Sequence, residues 1–313
     1  MTYTHTRRGG FTLVEMMVVI LLIVILAALS AGAFYKIQAA QRVGATEATI
    51  RKVQINMDAR WKAVLDEARR SLPDAVVTLA GNDKERALSI WTYAKLKNEF
   101  PQTFAEVAPI ILPTSPPIVL QPRAVFAPVV AATPAETDVR MQSAALIYAA
   151  LTATGAGGAS GDLDGLNQQV GTTPTGRQAF MDNWGMPLAF VRWADTPEVQ
   201  AEPFNRPNII RSRSLPNGFP VSNPLDPAGK LLFRPDNDWG TAPGLQPLRT
   251  ELLAQFYQGE NRTQFPNVNF VPTLVSAGPD KEFGADVYGA NSGDPGSDNV
   301  VGYRLRREGA KGN

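Results

Sequence analysis

From Met16 to Tyr35 the chain runs for 20 residues without a charge, and one carboxylate, Glu15, stands at the head of the run. At about 1.5 Å per residue a helix of that length spans roughly 30 Å, the hydrocarbon thickness of a bilayer. Arg7 and Arg8 precede the run, and no positive cluster follows at once. The positive-inside rule then keeps the N-terminus cytoplasmic and sends the C-terminal body across the membrane. A cleaved secretory signal has an apolar core of only about 7–15 residues. The twin-arginine route fits poorly too, because the first apolar residue arrives one position late and an acid follows inside the run. A plain anchor leaves Glu15 unexplained, since an ionised carboxylate in hydrocarbon costs several kcal/mol unless it is paired.

A partner arises if the chain is cut between Gly10 and Phe11. The new α-amine on Phe11 is cationic near neutral pH and lies four residues from Glu15, where opposite charges in a low-dielectric site attract strongly. The string Gly9-Gly10-Phe11-Thr12-Leu13-Val14-Glu15, with its leader and apolar run, resembles the class III signal of type IV prepilins and type II secretion pseudopilins. The resemblance implies a prepilin peptidase that cuts after Gly10 and methylates Phe11. It also implies that Glu15 pairs with the terminal amine of a neighbouring subunit during filament assembly.

Composition narrows the chemistry left to the rest of the chain. There is no cysteine, so disulfides, thiolate catalysis, Fe–S clusters and sulfur-built zinc sites are excluded. The one histidine is His5, inside the leader, so a mature chain would lack imidazole for a Ser-His-Asp triad or a histidine metal cluster. With 30 Lys+Arg against 29 Asp+Glu, net charge offers no reason to expect nucleic acid as a partner. These exclusions point to a building block rather than an enzyme.

Beyond Tyr35, apolar residues at Ile37, Ala40, Val43, Ile50, Val53, Met57, Trp61, Val64, Ala68 and Leu72 recur at steps dominated by three and four. No proline occurs between Phe11 and Leu72. One helix of about 60 residues is expected, supported by acid-before-base pairs Glu47–Arg51, Asp58–Lys62 and Asp66–Arg70. Met57 and Trp61 are expected in the core. The domain reading is a leader at 1–10, a transmembrane and assembly helix at 11–35, an amphipathic stem at 36–72 and a globular body at 73–313. Further helices are expected at Lys84–Glu99, capped by Asn82 or Asp83, and near Glu136–Ala153. Residues 109–135 hold seven prolines and read as an extended connection or insertion. Strands are expected at Pro187–Trp193, Lys230–Arg234, Val268–Ser276 and Val300–Arg306. The fold class is α+β, a long N-terminal helix on a small antiparallel sheet, as in pilins.

Two body segments extend the resemblance. Asp182-Asn183-Trp184-Gly185-Met186-Pro187-Leu188 is similar to the D-x-W-G-x-P-[YL] turn that opens the sheet in major pseudopilins, with Trp184 expected to cap the core. Leu274–Asp280 followed by Asp298-Asn299-Val300 resembles their calcium-binding loop. Calcium takes six to eight oxygens at about 2.3–2.6 Å. Asp280 and Asp298 are the leading ligands, with Asn299 or Asp294 and the carbonyls of Val275 and Gly278 completing the shell. The sequence departs from the family at Lys281, where a glycine is usual, and in a longer loop.

Other acidic groups carry less. Asp236-Asn237-Asp238 begins like an EF-hand, but the twelfth position is Pro247 rather than a bidentate glutamate. Asp162 and Asp164 lack a marked cleft, and the glycine stretch 155–165 lacks a phosphate-loop spacing and follows a helix. The resemblance therefore implies a structural subunit of a type II secretion pseudopilus. Its partners would be itself and other pseudopilins, the prepilin peptidase, the inner-membrane secretion platform and the membrane, with Ca²⁺ as the one cofactor. The rival readings are a type IV pilin for adhesion or DNA uptake and an exported enzyme behind an anchor. Pilins often carry a C-terminal disulfide loop, which this chain cannot form.

Overall fold

The computed structural model describes residues 13–152, 169–194, 196–200, 224–226, 270–284 and 298–309. The leader, the glycine stretch, Asp162, Asp164, the expected strand Lys230–Arg234, the Asp236–Gly240 turn and Asp294 lie outside the described residues. By internal contacts the chain divides into residues 1–45 and 46–313.

α1 spans Leu13–Arg70, 58 residues without a break, as the uninterrupted apolar spacing and the lack of proline require. Every described side chain from Leu13 to Arg42 is exposed. From Thr46 onward one face turns inward, burying Ile50, Val53, Met57, Val64 and Ala68. Pro73 stops the helix and precedes α2 (Asp74–Leu79). Asp66 pairs with Arg69 at 3.4 Å, three residues on, rather than with the expected Arg70.

α3 (Lys84–Glu99) has the expected bounds, and its cap is Asp83, whose carboxylate accepts from the N–H groups of Glu85 and Arg86. α5 (Val139–Thr152) buries Leu146, Ile147, Ala149 and Ala150 against the same core. Between α3 and α5, residues 109–135 are more structured than an extended connection. Ile110–Leu112 (β1) and Ile118–Leu120 (β2) pair antiparallel, and α4 (Ala127–Ala131) follows. The reason is apolar content. Leu112 is fully buried, while Ile110, Ile118 and Leu120 pack on the core, so burial orders a proline-rich stretch that composition reads as open.

Val170–Thr172 (β3) and Gln178–Phe180 (β4) form a second hairpin. The main sheet is antiparallel in the order β5 (Ala189–Ala194), β6 (Val271–Ser276), β7 (Val300–Val301), with Val275 registered to Ala189 on one side and Val301 on the other. α6 (Pro197–Gln200) follows β5. This is the pilin-like layout, a long helix followed by small antiparallel sheets.

The expected strand Val300–Arg306 is corrected. Only Val300 and Val301 pair, and Gly302–Gly309 is helical (α7). The edge that a longer β7 would need is already taken by α1. Gln54, 3 % exposed, donates from Nε2 to the Pro272 carbonyl at 3.1 Å and accepts from the Leu274 N–H at 3.3 Å. Those are alternate backbone groups of the kind a pairing strand would meet. A Cβ at Gly302 would sit 2.7 Å from Gln54 Oε1, so the chain turns away into a helix at a residue with no side chain.

Trp61 packs against Phe100 and Trp193 at ring distances of 5.4 and 5.6 Å, and Trp193 meets Tyr93 and Phe270. Met57 is fully buried. Both residues serve the core, as expected.

Candidate functional site

Two regions carry the residues singled out from the sequence. At the N-terminal end, Gly10 and Phe11 lie outside the described residues. Glu15 is exposed in the first turn of α1, where a carboxylate also suits the positive end of the helix dipole. α1 is long and apolar enough to cross a membrane. Its exposed side chains include Leu13, Val14, Met16, Met17 and the run Val18–Leu26. An apolar surface of that extent is not stable in water, and it needs lipid or other helices around it.

The second region joins the Asp182–Leu188 turn to the loop after β6. Asp182 is buried, and its Oδ1 accepts from the N–H groups of Trp184 at 2.9 Å and Met186 at 2.8 Å. Gly185 supplies the positive φ of +81° that the turn needs. The turn docks on α1 through the Asn183 N–H, which donates to Thr46 Oγ1 at 3.1 Å. Trp184 does not cap the core. It is half-buried at the turn's tip, while Phe180, Leu188 and Phe190 fill the interior beneath. The backbone-to-Asp182 bonds form the turn, so the tryptophan is not needed for it.

Asp182 Oδ2 accepts from Ser276 Oγ at 2.6 Å, and Ser276 Oγ in turn accepts from the Gly278 N–H at 3.1 Å. The two segments that resemble pseudopilins are therefore one hydrogen-bonded unit, a link that neither motif reveals alone. Gly278 has φ +78°, and a Cβ there would lie 2.6 Å from the Asp298 carbonyl oxygen. The close approach brings the two ends of the loop together. The Asp280 N–H donates to Asp298 Oδ2 at 3.4 Å, and Asn299 Nδ2 donates to the Phe283 carbonyl at 3.2 Å. Val275 sits in the central strand, and the Gly278 carbonyl accepts from the Lys281 N–H at 3.3 Å. Among the described residues no group of three or more carboxylates converges as a metal cluster. The Asp280 backbone lies against Asp298, while the Asp280 carboxylate accepts from the Glu282 N–H at 2.9 Å; Asp298 Oδ1 is buried with no hydrogen-bond partner among the described residues.

Lys281 adopts φ +65°, the left-handed conformation suited to the glycine that the resembling loops carry there. A side chain in that region costs about 1–2 kcal/mol, partly offset by the extra freedom glycine has when unfolded. Lys281→Gly is expected to stabilise the body by about 0.5–1 kcal/mol, read as a shifted urea midpoint of the detergent-solubilised chain.

Two buried arginines escaped sequence reasoning. Arg192, in β5, is fully buried; it donates from NH1 and NH2 to the two carboxylate oxygens of Glu106 at 3.0 and 2.8 Å, and from NH1 to the Phe100 carbonyl at 2.8 Å. Arg177 donates to the carbonyls of Val129 at 2.8 Å, Pro134 at 2.9 Å and Ala132, closing the end of α4. Read in sequence, each is one more charge in a loop-rich stretch. Their partners lie 86 and about 45 residues away.

Residues 5–31 match the prokaryotic N-terminal methylation motif. No curated protein and no solved structure matches the chain. The match covers Gly10, Phe11, Glu15 and much of the apolar run, so the N-terminal segment is a type IV prepilin-like signal. The chain thus carries a prepilin-type signal ahead of a body with a pilin-like layout.

Proposed function

We propose that this chain is a structural subunit of a type II secretion pseudopilus and not an enzyme. The observation that carries the reading is one coincidence. The methylation signal at residues 5–31 runs directly into a 58-residue helix whose first half is apolar and exposed at every described side chain. Cutting between Gly10 and Phe11 would create a cationic amine at the start of that helix. The subunit then waits in the inner membrane, N-terminus cytoplasmic, until the secretion platform extracts it into a filament with other pseudopilins. There Glu15 would neutralise the methylated Phe11 amine of a neighbour and set the axial register. No nucleic-acid partner is invoked. The D-W-G-P turn and the acidic loop, joined through Asp182 and Ser276, favour the pseudopilin over the adhesive pilin, as does the lack of any cysteine for a pilin-type disulfide loop.

The intact mass of the chain purified from membranes tests processing. Loss of residues 1–10 with one added methyl group is the expected result, and an uncut N-terminus sinks the proposal. Deleting the gene should trap exported folded proteins inside the cell while leaving adhesion and DNA uptake unchanged; the reverse pattern would make it a pilin.

Calcium belongs to the same reading. Asp280 and Asp298 would hold the ion at the base of the loop, and Asp298 Oδ1, buried with no hydrogen-bond partner among the described residues, supports the fit. Bound there, the ion would supply positive charge between two carboxylates and stiffen the loop. Millimolar calcium should raise the melting temperature relative to chelator, and more so in Lys281→Gly, which removes a cation beside the site. Equal melting in both media would rule the ion out.

A further inference from the structure

Between Glu15 and Glu47 the only charged side chains are Lys36 and Arg42. Cutting after Gly10 removes Arg7 and Arg8, and Lys36 and Arg42 are then the only basic side chains within ten residues of the uncharged run. The polar side chains of the stretch 36–45 are Lys36, Gln38, Gln41 and Arg42; each can donate hydrogen bonds and none is anionic. All four are exposed, and none of these side chains bonds to another described residue.

Just before them the apolar run ends in Phe34 (63 % exposed) and Tyr35 (70 %), whose rings meet edge-on at 6.3 Å. Aromatic rings at the end of a span settle at the boundary between hydrocarbon and headgroups. With Tyr35 at that boundary, Lys36–Arg42 covers about 9 Å of helix, against a headgroup layer of roughly 5–8 Å on each side of a bilayer. Arg42 stands two turns beyond Tyr35 on nearly the same face. Its side chain leans back toward the N-terminus, as helical side chains do, so its guanidinium comes down into the layer that Lys36 enters from below.

With α1 embedded as proposed above, we infer that Lys36 and Arg42 bind the phosphate groups of anionic phospholipids in the leaflet that the helix leaves at Tyr35. Gln38 and Gln41 are the neutral donors between them. Charge selects this occupant, because two cations with no carboxylate beside them complement a negative headgroup. Continuity selects it too: the exposed apolar face that ends at Tyr35 meets the acyl chains of the same lipids. The grip sets the depth at which the subunit waits, and it is given up when the helix leaves the bilayer.

The full-length chain, purified from membranes in an uncharged detergent, is titrated with phosphatidylglycerol or with phosphatidylcholine, and bound lipid is counted by native mass spectrometry. Each cation near an anionic headgroup strengthens binding about five-fold, so Lys36→Gln with Arg42→Gln should weaken phosphatidylglycerol binding roughly 25-fold. Phosphatidylcholine should bind more weakly than phosphatidylglycerol and be unaffected by the pair. Lys62→Gln with Arg70→Gln removes two exposed cations farther along α1 and should change neither lipid. Glutamine is a good helix former, so neither pair should unfold the helix. Equal binding of the two lipids, or an equal loss from the Lys62 and Arg70 pair, overturns the inference. Carbonate extraction of the same membranes keeps the two failures apart. A chain that stays in the pellet but shows no preference for phosphatidylglycerol overturns the lipid site alone. A chain washed into the supernatant overturns the embedded helix and the lipid site with it.

Discussion

Replacing Arg192 with methionine is expected to cost the body about 3–5 kcal/mol, because it leaves a largely buried carboxylate without its partner. Glu106 would keep the Gln102 N–H, 2.6 Å from its Oε2, but would lose both bonds to the guanidinium. The Phe100 carbonyl would lose a donor as well. At roughly 2–4 °C per kcal/mol for a body of this size, the melting temperature should fall by about 10 °C. Glu106→Leu combined with Arg192→Met should recover much of that loss, since an apolar pair of similar volume removes the stranded charge. A double variant as unstable as Arg192→Met alone would show that packing, not charge, dominates the site.

The same pair sets an acid dependence. Burial by itself would raise the Glu106 carboxyl, but the charge and hydrogen bonds of Arg192 outweigh it and hold the group below its ordinary value of 4.5. A carboxyl whose folded pKa is depressed adds stability that is fully present above about 4.5 and lost as pH falls through the lower folded value. The gap between the unsubstituted chain and Arg192→Met should therefore narrow below pH 4.5, which melts at pH 7 and at pH 3 would measure. A constant gap would contradict the electrostatic account.

The second large effect is expected at Asp182. Alanine there strands the fully buried hydroxyl of Ser276 and takes the acceptor from the N–H groups of the half-buried Trp184 and Met186. Each unsatisfied group costs about 1–3 kcal/mol, so with partial relaxation the total should approach 3–5 kcal/mol. Asparagine keeps an oxygen for the two backbone donors and should cost only about 1–2 kcal/mol. Because Ser276 also holds Gly278, Asp182→Ala should loosen the loop at a distance, seen as faster amide exchange at 278–283. Exchange unchanged there, with stability lost, would confine Asp182 to the turn.

Much of this was readable in the residues themselves. The run after Glu15, the proline-free stretch to Leu72 and the Asp83 cap each act through neighbours in sequence, so periodicity and local chemistry suffice to read them. The Pro-rich stretch was harder, because proline counts report backbone freedom and not whether Ile110 and Leu112 find a core. Local composition overextends β7 for a related reason. Val300–Arg306 has strand-like residues, but the edge it would need belongs to Gln54, more than 200 positions away.

By itself the sequence determined the class of molecule: a prepilin-like signal, an apolar helix needing lipid or other helices, and a body with neither thiol nor imidazole. Those properties depend on composition and short-range spacing, which folding does not alter. Tertiary structure alone decided that Asp182 and Ser276 join turn to loop and that Arg192 meets Glu106. Each depends on which distant segments exclude water between them, and burial, unlike helical spacing, belongs to the assembled fold and not to any stretch of residues.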